Sequence, residues 1–458
     1  MSYGELAALK EECGVVAAYG TGADLPGLLY VGLFALQHRG EESAGIAVSN
    51  GQQIALDKGL GLVSEVFSMR SLEELSSIRP TLGIGHVRYS TCDGDDLAHA
   101  QPFIVRYLRG NMALAHNGNL ANTDELRREM EQNGQIFQTN SDTEIILNLI
   151  ARYRREGIVP AVQKALGRVR GAYSLVLQSD NTLIAVRDAH GFRPLALGRL
   201  GDGYVVASES CAFDAMGAEL IRDLEPGEIV VIDENGLRSE RLLGELPPRH
   251  SCIFEYIYFA RVDSVIDGLN VHEIRRDLGR ILAQEHPAEA DIVIGVPDSA
   301  IPAAVGYALE SGLPYEEGLV KNRYVGRTFI SPGQSLRNLK VRLKLNPNRH
   351  VLAGKRVVVV EDSIVRGTTS RNLIRLLKEA GATEVHMRIS SPPYISPCYY
   401  GIDTPYEEEL VAARHSTESI RQMIGADSLA YLSIEGLLRA VPGGGNCLAC
   451  LTGNYPVL

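Results

Sequence analysis

The sequence predicts a chain of mixed α/β and α+β class, with a domain of stacked sheets followed by a domain built on a parallel sheet. Three observations predict it. At 458 residues the chain exceeds what one ordinary core accommodates, so two domains are expected. Up to Gly244 the chain is a series of short β-type runs divided by Gly and Asn turns, with few helices between them. After "GELPPRHS" (Gly244–Ser251) the runs become continuous and β-branched, each followed by an amphipathic stretch, as in a parallel sheet covered on both faces.

The runs before Gly244 are, in order, "GIAVS", "GLGLVSEVF", "TLGIGHVRYST", "NMALAHNGNL", "YSLVLQ", "TLIAVRD", "GYVVASES" and "EIVVID". Two helices are predicted among them, Pro26–Leu36 and Thr143–Arg155. "AHNGNL" (Ala115–Leu120) reads as an Asn-Gly turn between strands, and "TNSDTE" (Thr139–Glu144) as the opening of a helix that carries Asp142. In the second half "DIVIGVP" leads into the helix "SAIPAAVGYALESG", "KRVVVVED" leads into "TTSRNLIRLLKEAGA", and "EVHMRISSPP" follows as a further strand.

Composition narrows the function. With 45% hydrophobic and 22% charged residues the balance is that of a soluble globular enzyme. A net charge of −11 argues against wholesale nucleic-acid binding. There is no apolar stretch of the ~20 residues that a spanning helix needs. The opening "MSYGELAALKEE" is acidic and has no apolar core, so it is no secretory signal and a cytoplasmic location is expected. Seven cysteines in such a chain read as metal ligands or catalysts rather than disulfides. The stretch from "KNRYVGRTF" (Lys321–Phe329) to "RNLKVRLKLNPNRH" (Arg337–His350) is locally basic and calls for an anionic partner.

"VVVVEDSIVRGTTS" (Val357–Ser370) carries the most chemistry. Four valines form a buried strand, Glu361 and Asp362 stand at its C-terminal end, and a small-residue loop then enters a helix. Ligands of open α/β sheets sit at that end of the strands. The loop's backbone N–H groups, with the hydroxyls of Thr368, Thr369 and Ser370, suit a phosphate at a helix N-terminus. The two carboxylates repel phosphate and suit sugar hydroxyls or a divalent cation. No Lys-Ser/Thr follows the glycine, so this is not a nucleotide P-loop. The acidic pair followed by a Thr-rich turn resembles the phosphoribosyl diphosphate (PRPP) site of type I phosphoribosyltransferases. "GVPDSA" (Gly295–Ala300) then fits as the pyrophosphate loop, with Ser299 toward the metal-pyrophosphate end.

The first half supplies parts for amide hydrolysis. Cys13 is a candidate nucleophile. Were it the first residue, its own α-amine, with an ordinary pKa of ~7.7–8.0, could take the thiol proton and return it to departing ammonia. Asn117 and the Gly118 N–H are candidate oxyanion donors, and Arg88 and Asp142 suit the carboxylate and ammonium of an amino acid. Arg39 stands in "LQHRGEESAGIAV" without an assigned task. His38, His86 and His116 read as structural.

Taken together, "ECGVV", "QHRGEESAGI", "GHVRYST", "AHNGNL", "NSDTE", "GAYSLV", "ASESCAFD", "CIFEYIYFAR", "VPDS", "GLVKNRYVGRTFI", "EDSIVRGTTS" and "SPPYISPCYYGID" follow, in order, the pattern of the glutamine phosphoribosylpyrophosphate amidotransferases. The first five are shared with other N-terminal-nucleophile (Ntn) amidotransferases, and those after Ser251 specify this family. The resemblance implies a four-layer αββα Ntn-hydrolase glutaminase domain at residues 13–245 and a type I phosphoribosyltransferase domain at 246–458. It implies a propeptide, residues 1–12, whose loss exposes Cys13 as nucleophile. Asn117 and Gly118 become the oxyanion hole, and Arg88 and Asp142 the glutamine handles. Ser363, Ile364, Val365, Arg366, Gly367, Thr368 and Thr369 form the 5′-phosphate loop, joined by Lys321 and Arg323 of a loop that orders over PRPP. Ser299, Glu361 and Asp362 serve Mg²⁺ and the ribose, although Glu361 stands where this family usually has Asp.

The same resemblance gathers Cys252, Cys398, Cys447 and Cys450 as ligands of a [4Fe–4S] cluster with a structural role, a set that zinc would also accept. The expected activity is amidophosphoribosyl transfer: glutamine gives ammonia, and ammonia displaces pyrophosphate from PRPP to form 5-phosphoribosylamine, opening purine synthesis. Purine nucleotide inhibition and a homotetramer are further expectations. Glucosamine-6-phosphate synthase would need paired sugar-isomerase domains, and asparagine synthetase an ATP-pyrophosphatase loop; neither pattern follows residue 250. A PRPP-binding regulator would have no need of the Cys13, Arg88, Asn117 and Asp142 set.

Overall fold

The computed structural model describes residues 13–22, 24–89, 97–107, 110–242, 244–322, 345–404 and 406–457. The predicted propeptide, Cys92, Arg323 and most of the basic stretch lie outside the described residues.

Two antiparallel sheets face each other in the first half. One orders its described strands as Glu219–Asp223, Ala196–Leu200, Gly203–Ala207, Gly14–Tyr19, Leu82–Arg88, Ser43–Ser49 and Ile54–Leu60. The other runs Gly236–Arg241, Glu228–Asp233, Thr182–Arg187, Gly171–Ser179, Gly110–Leu120 and Phe103–Tyr107. Strand alternation divides the labour. In Gly14–Tyr19, Val15 and Ala17 pack between the sheets with Ala113, Ala115 and Val176. Val16 and Ala18 point the other way, to Leu29 and Leu33 of the helix Leu25–Ala35. Helices Asp142–Tyr153 and Ile158–Leu166 cover the outer face of the second sheet. The result is helix, sheet, sheet, helix.

The second half is built on four parallel strands in the order Ile292–Gly295, Arg356–Glu361, Glu384–Ile389 and Ser428–Tyr431. Val358 and Val360 face helices Val271–Glu285 and Ile301–Ser311. Val357 and Val359 face helices Thr368–Glu379 and Thr417–Ile424. Burial on both faces accounts for the unbroken valine run.

The first of these helix pairs is packed backbone to backbone. A methyl group on Gly279 would lie 1.8 Å from the Ala303 carbonyl oxygen, and one on Gly306 2.0 Å from that of Arg276. Gly279→Ala therefore forces two helices apart beneath the sheet. It should cost about 2–4 kcal/mol, read as a lower midpoint of urea unfolding.

Three local readings of the sequence need correction. "AHNGNL" is no turn: Gly110–Leu120 is one strand that pairs with Gly171–Ser179 through to Leu120, and Gly118 bends it at φ 146°. "GLGLVSEVF" is split, its strand ending at Leu60 and a helical turn occupying Val63–Val66. Helices Met69–Ser76, Thr123–Gln132, Ile158–Leu166 and Cys211–Met216 add to the two predicted. Thr123–Gln132 buries only Leu126 and Met130, too narrow an apolar stripe to stand out in a polar segment.

Candidate active sites

Cys13 leads directly into Gly14–Tyr19, the middle strand of its sheet. Gly14 pairs with Val87, which brings Cys13 beside the end of the neighbouring strand, where Arg88 sits buried. The Cys13 thiol donates to the Tyr89 carbonyl at 3.7 Å, and Arg39 Nε donates to the Cys13 carbonyl at 3.2 Å. Gly40 packs on the Arg88 backbone so closely that a Cβ would lie 2.6 Å from the Arg88 carbonyl carbon.

The predicted oxyanion pair lies on the facing sheet. Asn117 is fully buried, and neither its side-chain nitrogen nor its oxygen has a hydrogen-bond partner. A Cβ on Gly118 would lie 2.1 Å from the Ala172 carbonyl oxygen, so only glycine fits. One residue before, His86 Nε2 donates to the His116 carbonyl at 3.0 Å, tying the Arg88 strand to the Asn117 strand. Burial drives the His86 pKa down to about 3, so the ring is neutral.

Asp142 opens its helix behind the N-cap Ser141, whose hydroxyl accepts the Thr143 N–H. Its Oδ2 accepts the Leu120 N–H at 3.1 Å, and its Oδ1 stands 3.4 Å from His116 Nδ1. Burial works to raise the Asp142 carboxyl, but His116 and the N–H groups of Leu120 and Thr143 outweigh it and hold the group below its ordinary value. His116 is thus an orienter of Asp142, and His38, bonded to Glu209 at 2.7 Å, belongs to a buried charge cluster.

The sequence reading gave that cluster no role. Arg39 Nη1 donates to Glu209 at 2.6 Å and to Glu255 at 3.0 Å, and Nη2 donates to Glu255 at 2.7 Å. Glu209 also accepts the Ser264 hydroxyl at 2.6 Å and the Arg261 N–H at 2.9 Å. Residues 216 positions apart meet here, and only the presence of Arg39 in a quoted motif hinted at it.

In the second half, Glu361 ends its strand and Asp362 follows, buried. Asp362 accepts the Ser299 hydroxyl at 2.6 Å and the Ser363 hydroxyl at 2.7 Å. Burial raises both carboxyls, and the charge of Asp362 raises Glu361 further. Among the described residues no group of three His, Cys, Asp or Glu is disposed to hold a metal ion. Two carboxylates and a serine nevertheless suit a hard cation such as Mg²⁺, which keeps water and substrate oxygens as its other ligands. Gly367 adopts φ 75° just before the helix Thr368–Glu379, so the loop from Ser363, Ile364 and Val365 turns its backbone to that helix's N-terminus, and the Thr369 hydroxyl is buried without a partner. Arg366 pairs with Glu409. Lys321 reaches Asp298, beside Ser299, at 2.6 Å.

The four tail cysteines come together at the junction of the halves. Cys252 and Cys447 are opposite one another on the short parallel strands Ser251–Cys252 and Asn446–Cys447. Ile395 and Ser396 donate to the Cys450 carbonyl, and the Tyr400 N–H donates to the Cys398 sulfur at 3.4 Å. Burial, then the charges of Cys398, Cys252 and Cys447, push the Cys450 thiol well up. Burial likewise pushes Cys447 to about 12. None of the four is joined in a disulfide. A thiol so raised as Cys450 is held neutral unless a cationic centre offsets its charge. These four are included in the finding that, among the described residues, no group of three such side chains is disposed to hold a metal ion. The same loop touches the first half: Asn119 Nδ2 donates to the Tyr399 carbonyl at 3.0 Å, and Arg193 bonds the Tyr400 carbonyl.

Comparison with known proteins accounts for both regions. Residues 86–215 match a glutamine amidotransferase domain model and residues 268–390 a phosphoribosyl transferase domain model. The chain is 51% identical to the amidophosphoribosyltransferase of Bacillus subtilis, over 99% of its length and 95% of the relative's. It is 53% identical to that of Archaeoglobus fulgidus, over 97% and 98%. Among solved structures, it resembles a B. subtilis glutamine PRPP amidotransferase complexed with ADP and GMP, with a TM-score of 0.91 at 50% identity over 97% of this chain and 98% of that one.

Proposed function

The chain belongs to the amidophosphoribosyltransferases, and from that premise we propose how its residues perform the transfer. The reaction moves the amide nitrogen of glutamine to PRPP in purine biosynthesis. The division of labour we adopt is a glutaminase at 13–245 and a phosphoribosyltransferase at 246–458. Its support is that the last strand of the six-stranded sheet ends at Arg241, while Ser251 already pairs with the tail.

Cys13, freed of the twelve residues before it, is the nucleophile. Its α-amine takes the thiol proton, the sulfur attacks the glutamine side-chain carbonyl, and the proton passes to the departing nitrogen as ammonia leaves. Water then cleaves the γ-glutamyl thioester to release glutamate. Arg88 and Asp142 hold the substrate's carboxylate and ammonium. Asn117 and Gly118 stabilise the oxyanion. The observation that carries this reading is the Asn117 amide, buried with both polar atoms unpartnered. Such a group costs about 1–3 kcal/mol unless a ligand satisfies it.

At the second centre Ser363, Ile364, Val365, Arg366, Gly367, Thr368 and Thr369 cradle the 5′-phosphate, and Lys321 and Arg323 act from the covering loop. Glu361 and Asp362 bind the ribose hydroxyls and, with Ser299, would hold Mg²⁺, which supplies charge neutralisation for the leaving pyrophosphate. Ammonia must travel as the neutral base, since ammonium has no lone pair, and a dry passage favours that form. Cys252, Cys398, Cys447 and Cys450 would hold a [4Fe–4S] cluster that fastens the tail to the domain junction. Purine nucleotides are the expected inhibitors, supported by the ADP and GMP in the B. subtilis structure. A homotetramer and a cytoplasmic location complete the reading, the latter in keeping with six described cysteines that form no disulfide.

Intact mass of anaerobically purified protein tests the nucleophile and the cluster together. The denatured chain should begin at Cys13, and the native one should carry iron and sulfide in equal amounts. Cys450→Ser should lose the iron and the broad visible absorbance of the cluster. A chain that keeps Glu12 yet hydrolyses glutamine, or one that purifies with zinc, would overturn the respective half.

A further inference from the structure

One side chain completes the sheet beside Asn117 and Gly118. The strands Phe103–Tyr107 and Gly110–Leu120 pair as a hairpin that reaches as far as Phe103 and Leu114. Before Phe103 stands Pro102, which has no N–H to give to a ladder. Carried two residues further, the register sets Gln101 opposite His116. There the side chain takes over the pairing. Gln101 Oε1 accepts the His116 N–H at 2.7 Å, and Gln101 Nε2 donates to the His116 carbonyl at 3.4 Å. That carbonyl also accepts from His86 Nε2.

Gln101 is itself well fixed. It is buried, and a Cβ on Gly45 of the facing sheet would lie 2.1 Å from its carbonyl oxygen. The carbonyl of Ala100, just before it, accepts from Lys58 Nζ at 2.5 Å. His116 is therefore held at both backbone groups, while its ring meets Thr143 at 3.2 Å and Asp142 at 3.4 Å. Asn117, the next residue, is buried with neither side-chain polar atom partnered. That contrast is what an oxyanion site needs: donors left open for a transient charge, on a backbone that cannot drift from it. Strand Gly171–Ser179 pairs with this segment along one edge, and the Gln101 amide serves the other.

We propose that Gln101 is a positioning residue for glutamine hydrolysis: its side-chain amide replaces a strand neighbour at His116 and so fixes the Asn117 amide and the Gly118 N–H where the oxyanion forms. The proposal rests on the reading of those two groups as the oxyanion donors. Arg88 and Asp142 take their places from other elements, the end of the strand Leu82–Arg88 and the start of the helix Asp142–Tyr153. Loss of the Gln101 amide therefore weakens the transition state and leaves substrate capture in place.

A γ-aldehyde analogue of glutamine reads the oxyanion site directly. The Cys13 sulfur adds to the aldehyde carbon, the C=O π bond opens onto oxygen, and the thiol proton passes through the α-amine to that oxygen. The adduct is tetrahedral, with its oxygen facing the donors. Glutamate forms no adduct and reports only the handles. Gln101→Met keeps the volume and removes both hydrogen bonds. It should weaken binding of the aldehyde about 30-fold and of glutamate by no more than about threefold. The kcat of glutamine hydrolysis should fall about 30-fold, with KM within about threefold. Ammonia-dependent synthesis within about twofold of the unaltered protein certifies the fold. Equal weakening of aldehyde and glutamate, or unchanged affinity for both, would overturn the proposal. Should Gln101→Met fail to fold, Gln101→Asn, whose amide is withdrawn by one carbon, decides by the same ratio. Asn117→Ala separates this from the underlying reading. If it too leaves the aldehyde's affinity unchanged, Asn117 is no oxyanion donor; if it alone weakens the aldehyde, the donor stands and Gln101 does not place it.

Discussion

Cys13→Ala should lower glutamine-dependent formation of phosphoribosylamine by about 10³-fold or more, while synthesis from free ammonia stays within about twofold. The asymmetry follows from the placement of the residue. Cys13 contacts Tyr89 and Arg39 of the first half, and the acidic pair Glu361–Asp362 lies at the end of a strand in another sheet. Removing a sulfur at the start of a strand leaves the strand's pairing to Val87 and Ala207 in place. Parallel assays with glutamine and with ammonium salts measure both numbers. The glutamine-dependent rate of the unaltered protein should fall on the acid side as the α-amine gains its proton, near its ordinary value of ~7.7–8.0. Asp142 adds no second limb there, because its carboxyl is held below the ordinary value and stays ionised. Equal loss with both nitrogen donors would remove Cys13 from the role.

Asp362→Asn should behave in the opposite sense, lowering both the glutamine- and the ammonia-dependent rates by about 10²-fold or more. Ser299 and Ser363 donate their hydroxyls to the two oxygens of this buried carboxylate. An amide at the same place presents one acceptor and one donor, so one hydroxyl loses its partner and the site loses half its negative charge. Burial raises the Asp362 carboxyl. A group so raised gains its proton at a higher pH than usual, so PRPP turnover should decline on acidification earlier than an ordinary aspartate would dictate. Added Mg²⁺ should push that decline to lower pH, because the cation binds the ionised form. Titration of ammonia-dependent synthesis against pH at several Mg²⁺ concentrations checks both statements.

The local chemistry was legible where one short stretch carries both the geometry and the reacting groups. Val357–Ser370 shows its strand, its carboxylates and its helix start in consecutive residues, and the structure folds it as strand, loop and helix. Asp142 was equally plain, because an N-cap serine announces the helix. Other features were hidden for physical reasons. Asn117–Gly118 has the composition of a hairpin turn, yet pairing on to Leu120 keeps it in a strand, a tertiary effect that no local preference reveals. Glu255 is an ordinary charged residue in sequence. Its meeting with Arg39 exists only once the two halves are docked.

The middle position of Gly14–Tyr19 has a practical consequence. Chain ends ordinarily fray, but a chain begun at Cys13, as proposed, is clasped by neighbours on both sides from its first residues, Val87 on one and Ala207 on the other. A group that must serve as a fixed base can therefore sit at a terminus without wandering. On that reading a label placed directly before Cys13 would block the amine, and the product should be an ammonia-only synthase. The carboxyl end offers little relief, since Cys447 and Cys450 pack there. The exposed hairpin tip at Gly201–Asp202, which no catalytic side chain approaches among the described residues, is the better site for a reporter.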